Sequence, residues 1–457
     1  MQIGRKDVFW SYAATFLQIG AGIILLPFIL RVFPQETVAI WTVFLTIITL
    51  SSMLDFGFNP SFARNISYVI SGVKELKKTG FQIVEHTNCE VDYGLFKGLI
   101  HAMRWFYGRV SFLFFILLIT VGTYYIHTIL KTYSYNHAEV YISWAILCII
   151  NSYSLYTLYY DSLLQGQGLV KKARQIQVVG QFVYLLVAVV MIMLSFNLIA
   201  VVSAQALSVI IRRFLSYKTI YTTEFKQRLH NVVAQSRKEI LKLISPNAVK
   251  LGLTGLGGFL LAQSSVIMGS LYLSLNEMAS YGITMQIVGI LATVATVYGG
   301  VYTPKIAQFR TYSNHNSIKH IYLKGCLLLL GTFLIGSLLL IFFGNRVLML
   351  IGSQTPLLGT LPIFLILLTS LLVANHSFAA SILMSKNYVP FFKPSIISGL
   401  FVVVGLFFVL KYTSLGLMGL IIVPLVVNIS YQSWKWPLEV IKDLKLGIKT
   451  SHNNIHV

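Results

Sequence analysis

Residues Thr37 to Met53 read TVAIWTVFLTIITLSSM and carry no charge; the next stretch, Leu54 to Asn65, reads LDFGFNPSFARN. A helix rises 1.5 Å per residue, so about 20 apolar residues cross the roughly 30 Å hydrocarbon core of a bilayer. The first stretch is therefore a bilayer crossing, and the second marks where it leaves the lipid. Asp55 ends the apolar span, Gly57 permits a close approach or a turn, Pro60 starts a new helical turn, and Arg64 sits where phosphate headgroups begin.

The pattern extends along the chain. Of 457 residues, 56% are hydrophobic and only 11% are charged, and the mean hydropathy is +0.75. This balance excludes an ordinary soluble domain. Apolar runs fall at 9–30, 38–57, 110–130, 141–164, 175–195, 198–217, 249–272, 280–300, 322–343, 358–384, 395–411 and 416–434. The expected fold class is an all-α integral membrane protein with about twelve transmembrane helices, the tenth tilted or broken near Pro362.

The formal charge of +21 is distributed as membrane topology requires, which argues against a nucleic-acid partner. With the spans alternating from a cytoplasmic N-terminus, only Arg31, Lys131, Arg346 and Lys411 of the 35 lysines and arginines fall in outer loops. The positive-inside rule then places both termini in the cytoplasm. Basic clusters such as RRFLSYK (Arg212 to Lys218) and KDLKLGIK (Lys442 to Lys449) read as inner-leaflet edges. No small-residue cleavage site follows the first apolar run, so that span is expected to stay in the mature protein. Cys89, Cys148 and Cys326 lie far apart and imply no disulfide framework.

The chain also matches itself. SLLQGQGLVKKARQIQVVG (Ser162 to Gly180) aligns without gaps on SILMSKNYVPFFKPSIISG (Ser381 to Gly399), with Arg174 opposite Lys393. PSFAR (Pro60 to Arg64) resembles PKIAQFR (Pro304 to Arg310) at a larger offset, which places an insertion in the first half. The expected organisation is an N-lobe at 1–220 with a cytoplasmic insertion at about 74–105, an interlobe linker at 221–246, a C-lobe at 247–435 and a cytoplasmic tail at 436–457. Within the insertion, Leu95, Leu99, Met103 and Phe106 recur at helical spacing and predict an amphipathic helix on the inner leaflet. The linker is expected to be helical from about Ser236 and to stop before Pro246.

Enzyme signatures are missing. No GxxxxGK[ST] or GxSxG occurs, and GQGLVKK at Gly166 has the wrong spacing to cradle a nucleotide phosphate. His86, Cys89 and His101 lack the fourth partner and paired spacing of a metal site. The chain is expected to be no enzyme, with no catalytic residue, cofactor or metal.

What remains are ionisable residues in or beside spans, where charge is expensive and therefore usually faces a cavity or a partner. Lys324 and Arg109 can snorkel to headgroups. Asp55 and Asp161 are too short for that; they either pair with Arg64 or Arg174, or take a coupling proton or sodium ion. His376 is either a core histidine bonded to Asn375 or a backbone carbonyl, or a proton relay. Tyr153, Tyr156 and Tyr160 recur at helical spacing, suited either to stacking on sugar faces or to an interfacial aromatic belt.

Over nearly its whole length the chain resembles the polysaccharide-exporter branch of the multidrug/oligosaccharidyl-lipid/polysaccharide (MOP) superfamily, specifically Wzx-type flippases. The segments that carry the likeness are Pro27 to Ser67, LLQGQGLVKK (Leu163 to Lys172) and YGITMQIVGILATVATVYGGVYTPKIAQ (Tyr281 to Gln308). The resemblance implies two six-helix lobes in a V, alternating access, and residence in the inner (cytoplasmic) membrane. It implies an undecaprenyl-pyrophosphate-linked oligosaccharide as substrate, for O-antigen or capsule assembly beside a polysaccharide polymerase and a chain-length regulator. A cationic cavity would receive the pyrophosphate, with Arg31 in its outer half and Arg64, Arg174 and Lys250 in its inner half. A cation-coupled drug exporter of the same superfamily is the alternative; a multispan acyl- or glycosyltransferase lacks the acids or histidines it would need at one membrane face.

Overall fold

A computed structural model describes residues 5–76, 91–311, 315–385 and 390–444. His86, Cys89 and most of the polar stretch after Lys74 lie outside the described residues. Among the described residues every regular element is a helix: α1 (Arg5–Val32), α2 (Gln35–Met53), α3 (Phe58–Ile70), α4 (Tyr93–Leu117), α5 (Thr123–Leu130), α6 (His137–Tyr156), α7 (Tyr159–Gly166), α8 (Val170–Met193), α9 (Asn197–Ile220), α10 (Thr223–His230), α11 (Arg237–Tyr272), α12 (Leu275–Thr311), α13 (His315–Leu350), α14 (Thr360–Met384), α15 (Phe392–Tyr412), α16 (Gly416–Val427) and α17 (Ser433–Asp443). Single π turns at Leu118–Gly122 and Asn428–Gln432 join α4 to α5 and α16 to α17. These helices supply 11 segments long and apolar enough to cross a membrane, and Phe16–Val32 of α1 is a shorter apolar helix. The protein is a multi-pass, all-helical membrane protein.

Helix starts follow the local sequence. Asp92 caps α4 by accepting from Leu95 N at 2.8 Å, and Asn136 caps α6 by accepting from Ala138 N at 3.0 Å. Ser274 and Glu277 form a reciprocal capping box at α12: Ser274 N donates to Glu277 Oε2 at 3.1 Å and Glu277 N to Ser274 Oγ at 3.3 Å. Outward faces are apolar and exposed, as on α13 with Leu327, Leu330 and Leu334, the surface a bilayer solvates.

The chain divides into two compact units. Unit 1 comprises Met1–Phe259, Leu273–Ala279 and Leu348–Pro356; unit 2 comprises Leu260–Tyr272, Ser280–Val347 and Leu357–Val457. The division passes through α11. In unit 1, α8 packs on α9 and α1, α3 on α7, and α6 on α9 and α4. In unit 2, α14 packs on α17 and α16. Phe378 of α14 lies against Gly299 of α12 and Gly325 of α13, beside a core that includes Ile318, Tyr322, Ile382, Trp436 and Val440.

Three local expectations change. The residues expected to form a surface helix instead begin α4, which runs without a break into the next crossing; Leu95, Leu99 and Met103 are buried. Their apolar face meets protein: Lys97 Nζ donates to Val232 O at 2.8 Å, and a Cβ on Gly98 would meet Ile240 Cδ1 at 2.8 Å. Helix α11 continues through Pro246. Proline removes one rung of the hydrogen-bond ladder, but burial of Ile240, Ile244 and Ala248 holds both sides of that gap in register. Finally, PSFAR lies in the first turns of α3, after the helix has been interrupted by a turn, whereas Pro304 lies inside the unbroken α12.

Candidate functional site

The turn that ends the opening span organises one end of unit 1. After Met53 the chain breaks its helix at residues 54–57, with Phe56 at φ +48° and Gly57 at φ +66°. Only glycine adopts this left-handed region at little cost, and space forbids a side chain as well, since a Cβ on Gly57 would lie 2.6 Å from Leu251 Cβ. Gly252 meets Phe56 as tightly from the other side. Asp55 then starts α3: its carboxylate accepts from Asn59 N at 2.9 and 3.1 Å and from the Tyr107 hydroxyl at 2.5 Å. It pairs with neither Arg64 nor Arg174.

Helix α3 is thereby aimed along α7. Ser162 Oγ donates to Asn59 Oδ1 at 2.8 Å, and Gly166 sits where a Cβ would come within 2.7 Å of Ala63 O. Close crossing of the two helices leaves room on one side for a cavity of about 520 Å³, bounded by α3, α7, α8 and α9. Asn59, Arg64 and Ser67 line it from α3, Asp161 and Gln165 from α7, Arg174 and Gln177 from α8, and Arg212, Arg213 and Ser216 from α9. Four arginines face a single aspartate there.

That aspartate is already engaged. Arg213, which is buried, donates from Nη1 to Asp161 Oδ2 at 3.0 Å and from Nη2 to Ser154 O at 3.4 Å. Arg174 Nη1 donates to the neutral amide of Gln177 at 2.9 Å. Arg64 is exposed and makes no hydrogen bond or ion pair among the described residues. Forked, permanently charged donors around polar and aliphatic walls suit a phosphate or carboxylate anion.

Of the residues singled out in the sequence, Arg64, Arg174 and Asp161 meet in this cavity. Arg31 lies elsewhere in unit 1, in the last turn of α1, where its carbonyl accepts from Gln354 Nε2 at 3.5 Å. Lys250 is exposed on α11 beside the residues that pack on the Phe56–Gly57 turn. Tyr153 and Tyr156 are exposed near the end of α6. Tyr160, beyond a helix break, joins Tyr159, Tyr217 and Tyr221, with Arg104 set 5.7 Å over the Tyr159 and Tyr221 rings. Burial pushes the Tyr221 phenol up to about 12, against the opposing pull of Arg104. His376 belongs to α14 in unit 2; its Nδ1 is buried and makes no hydrogen bond among the described residues.

Sequence reasoning missed Arg212 and Arg213, read there as part of an inner-leaflet edge. The signal was their depth: both lie inside the predicted sixth span, before its apolar run ends. Among the described residues no cluster of histidine, cysteine, aspartate and glutamate is arranged to hold a metal.

No family model matches the chain, and no curated protein matches it. Solved structures do. An inward-facing multidrug-resistance MATE transporter of the MOP superfamily superposes with TM-score 0.58 at 16% identity, covering 94% of this chain and 95% of that one. The lipid II flippase MurJ in an inward closed conformation gives 0.62 at 15% identity, over 96% and 87%. A MOP-superfamily transporter from Pyrococcus furiosus, described as having a binding pocket of reverse polarity, gives 0.54 at 17%, over 96% and 94%. The chain has the fold of MOP-superfamily transporters, and these neighbours are transporters and a flippase.

Proposed function

We propose that the protein is a flippase that moves an undecaprenyl-pyrophosphate-linked oligosaccharide repeat unit from the inner to the outer leaflet of the cytoplasmic membrane, by alternating access. The observation that carries this reading is the arginine-lined cavity of unit 1, whose one carboxylate is spent on Arg213. An anionic cargo supplies the charge such a cavity lacks; a cationic drug would add to the excess. The neighbour described as a lipid II flippase supports the class of cargo. In this reading Arg64 and Arg174 meet the pyrophosphate on the cytoplasmic side, Arg31 meets it later in the cycle, and a polymerase and chain-length regulator consume the delivered unit.

The experiment is deletion of the gene, followed by quantification of lipid-linked oligosaccharide in the inner membrane and of surface polysaccharide. Accumulation of the first with loss of the second, both reversed by the wild-type gene and not by Arg64→Ala/Arg174→Ala, is the expected result. Unchanged pools refute the proposal.

A second reading, a cation-coupled exporter of small drugs, is favoured by the MATE neighbours and by Asp55, a half-buried carboxylate held by a neutral phenol. It predicts raised drug resistance on overexpression that depends on a proton or sodium gradient and on Asp55.

A further inference from the structure

The starts of α4 and α11 share a patch of positive charge at the edge of the membrane. Helix α4, the π turn after it and α5 make one rod of 38 residues, Tyr93–Leu130, about 57 Å long at 1.5 Å per residue against roughly 30 Å of hydrocarbon. One face of this rod is apolar through Phe112, Leu113 and Ile116, all of them exposed. Arg109 is the first lysine or arginine above them. The bilayer therefore ends near Arg109, and the helix from Tyr93 to that residue stands beyond the hydrocarbon.

Two glycines bring Arg237 to the same place. Gln235 N donates to Gly94 O at 3.1 Å and Lys97 Nζ to Val232 O at 2.8 Å. A Cβ on Gly94 would lie 3.0 Å from Val233 O, and one on Gly98 would lie 2.9 Å from Gln235 O. The segment before α11 thus lies in a notch of α4, and α11 starts beside Trp105. The guanidinium of Arg109 is 4.4 Å from the centre of the Trp105 ring and that of Arg237 is 5.8 Å from it, so the two are at most 10.2 Å apart, the sum of those distances. Both arginines are exposed, and neither makes a hydrogen bond or ion pair among the described residues. The acids of these elements do not answer them: Asp92 caps α4, Glu224 is paired with Arg228, and Glu239, two residues past Arg237, faces another side of α11. Lys97, Arg104 and Arg237 act together on His101, which extends the positive field along α4.

At about 100° per residue, Trp105 and Arg109 stand on the same face of α4 as Phe112 and Ile116. An indole flanked by two arginines, directly above exposed apolar side chains, is complementary to a lipid of negative headgroup: phosphate at the guanidinium groups, indole at the interface, acyl chains along the apolar face. A soluble acidic partner would leave that apolar face unused. We propose that this face binds an anionic phospholipid, its phosphodiester bracketed by Arg109 and Arg237 beside the Trp105 ring and its chains laid on Phe112, Leu113 and Ile116. The site lies outside the cavity bounded by α3, α7, α8 and α9 and does not depend on what the protein transports.

The full chain is reconstituted in phosphatidylcholine nanodiscs that contain increasing fractions of phosphatidylglycerol brominated on its acyl chains, and quenching of tryptophan fluorescence is followed. Bromine quenches an indole only near contact, so a lipid held at the site registers at Trp105. Wild type is expected to show a saturable component with a midpoint about tenfold or more lower in mole fraction than with brominated phosphatidylcholine, each arginine at an anionic headgroup contributing about fivefold. Trp105→Phe removes that component. Arg109→Gln/Arg237→Gln moves its midpoint to the phosphatidylcholine value, whereas Lys226→Gln/Arg228→Gln, which takes two charges from exposed α10, leaves it unchanged.

Equal quenching by the two lipids overturns the lipid site and leaves the patch to an acidic soluble partner. A phosphatidylglycerol component that survives in Trp105→Phe overturns it as well, because the lipid then sits elsewhere. An equal loss in Lys226→Gln/Arg228→Gln overturns it as diffuse attraction. Both arginines are exposed and bonded to no described residue, so their variants are expected to fold; should the double variant fail, Arg237→Gln alone, with a shift of about fivefold, carries the comparison.

Discussion

Tyr107 of α4 donates its hydroxyl to Asp55 at 2.5 Å while Asp55 accepts from the backbone of Asn59. One carboxylate therefore starts α3 and ties it to α4, and α3 carries Arg64 to the cavity. Removing the hydroxyl with Tyr107→Phe is expected to destabilise the protein by about 1.5–3 kcal/mol, the range for a hydrogen bond to a charged group. Asp55→Asn, which can still cap a helix, should cost less than Asp55→Ala. Thermal unfolding in detergent measures all three, and additivity of Asp55→Asn with Tyr107→Phe would show that the pair is not coupled.

The contact between the Phe56–Gly57 turn and α11 makes a steric prediction. Gly57→Ala meets both a left-handed backbone and Leu251, and Gly252→Ala meets the Phe56 backbone, so each should lower the yield of monodisperse protein sharply, by about 2 kcal/mol or more of stability. Gly255→Ala meets only Met53 Sδ at 3.5 Å, an ordinary contact, and should be tolerated. Size-exclusion profiles of the three variants give the comparison.

Asp161 and Arg213 should behave as a pair. Asp161→Ala leaves a buried arginine side chain, 7% exposed, without its anion, although the aspartate itself is 37% exposed, so solvent moderates the loss to about 1–3 kcal/mol. Adding Arg213→Gln to that background is expected to recover part of it. A double variant less stable than the sum of the singles would exclude this pairing as the cause.

Tyr221 makes the protein sensitive to alkali. Its phenol ionises near 12 in the folded state and near 10 in an unfolded chain, so the folded form holds the proton longer. The stabilising contribution is complete below about pH 10 and is lost as pH rises toward about 12. Tyr221→Phe should therefore unfold less steeply than wild type across that interval, measured by near-ultraviolet circular dichroism.

In unit 2, Arg310 of α12 bonds Ser385 Oγ at 3.1 Å and forms an ion pair with Asp443 of α17, both side chains 10% exposed. Asp443→Asn is expected to loosen α17, seen as faster amide exchange over Ser433–Asp443 with little change elsewhere. Uniform protection there would show that apolar packing of Trp436 and Val440 suffices.

What the sequence determined by itself was the solvent of this protein and where along the chain most of its apolar helices run, about twelve being expected where the structure has 11 segments long enough to cross and one shorter apolar helix. Hydropathy is a property of each stretch taken alone, so a charge-free run such as Thr37 to Met53 declares its environment without reference to any other part of the chain. The same local chemistry marked Gly57 as a turn and Arg64, Arg174 and Asp161 as costly charges that needed a reason. Pairing is not local. Arg64 is a near neighbour of Asp55 in sequence, yet the fold gives Asp55 the Tyr107 hydroxyl; Asp161 takes Arg213, some fifty residues away. Arg212 and Arg213 look like one basic edge in sequence, yet the turn of a helix sends one to a carboxylate and lays the stem of the other across Gly180. Leu95, Leu99 and Met103 show the same division: their spacing specifies an apolar face, but only the tertiary structure decides whether lipid or protein covers it, because the free energy of burying that face is nearly the same for either.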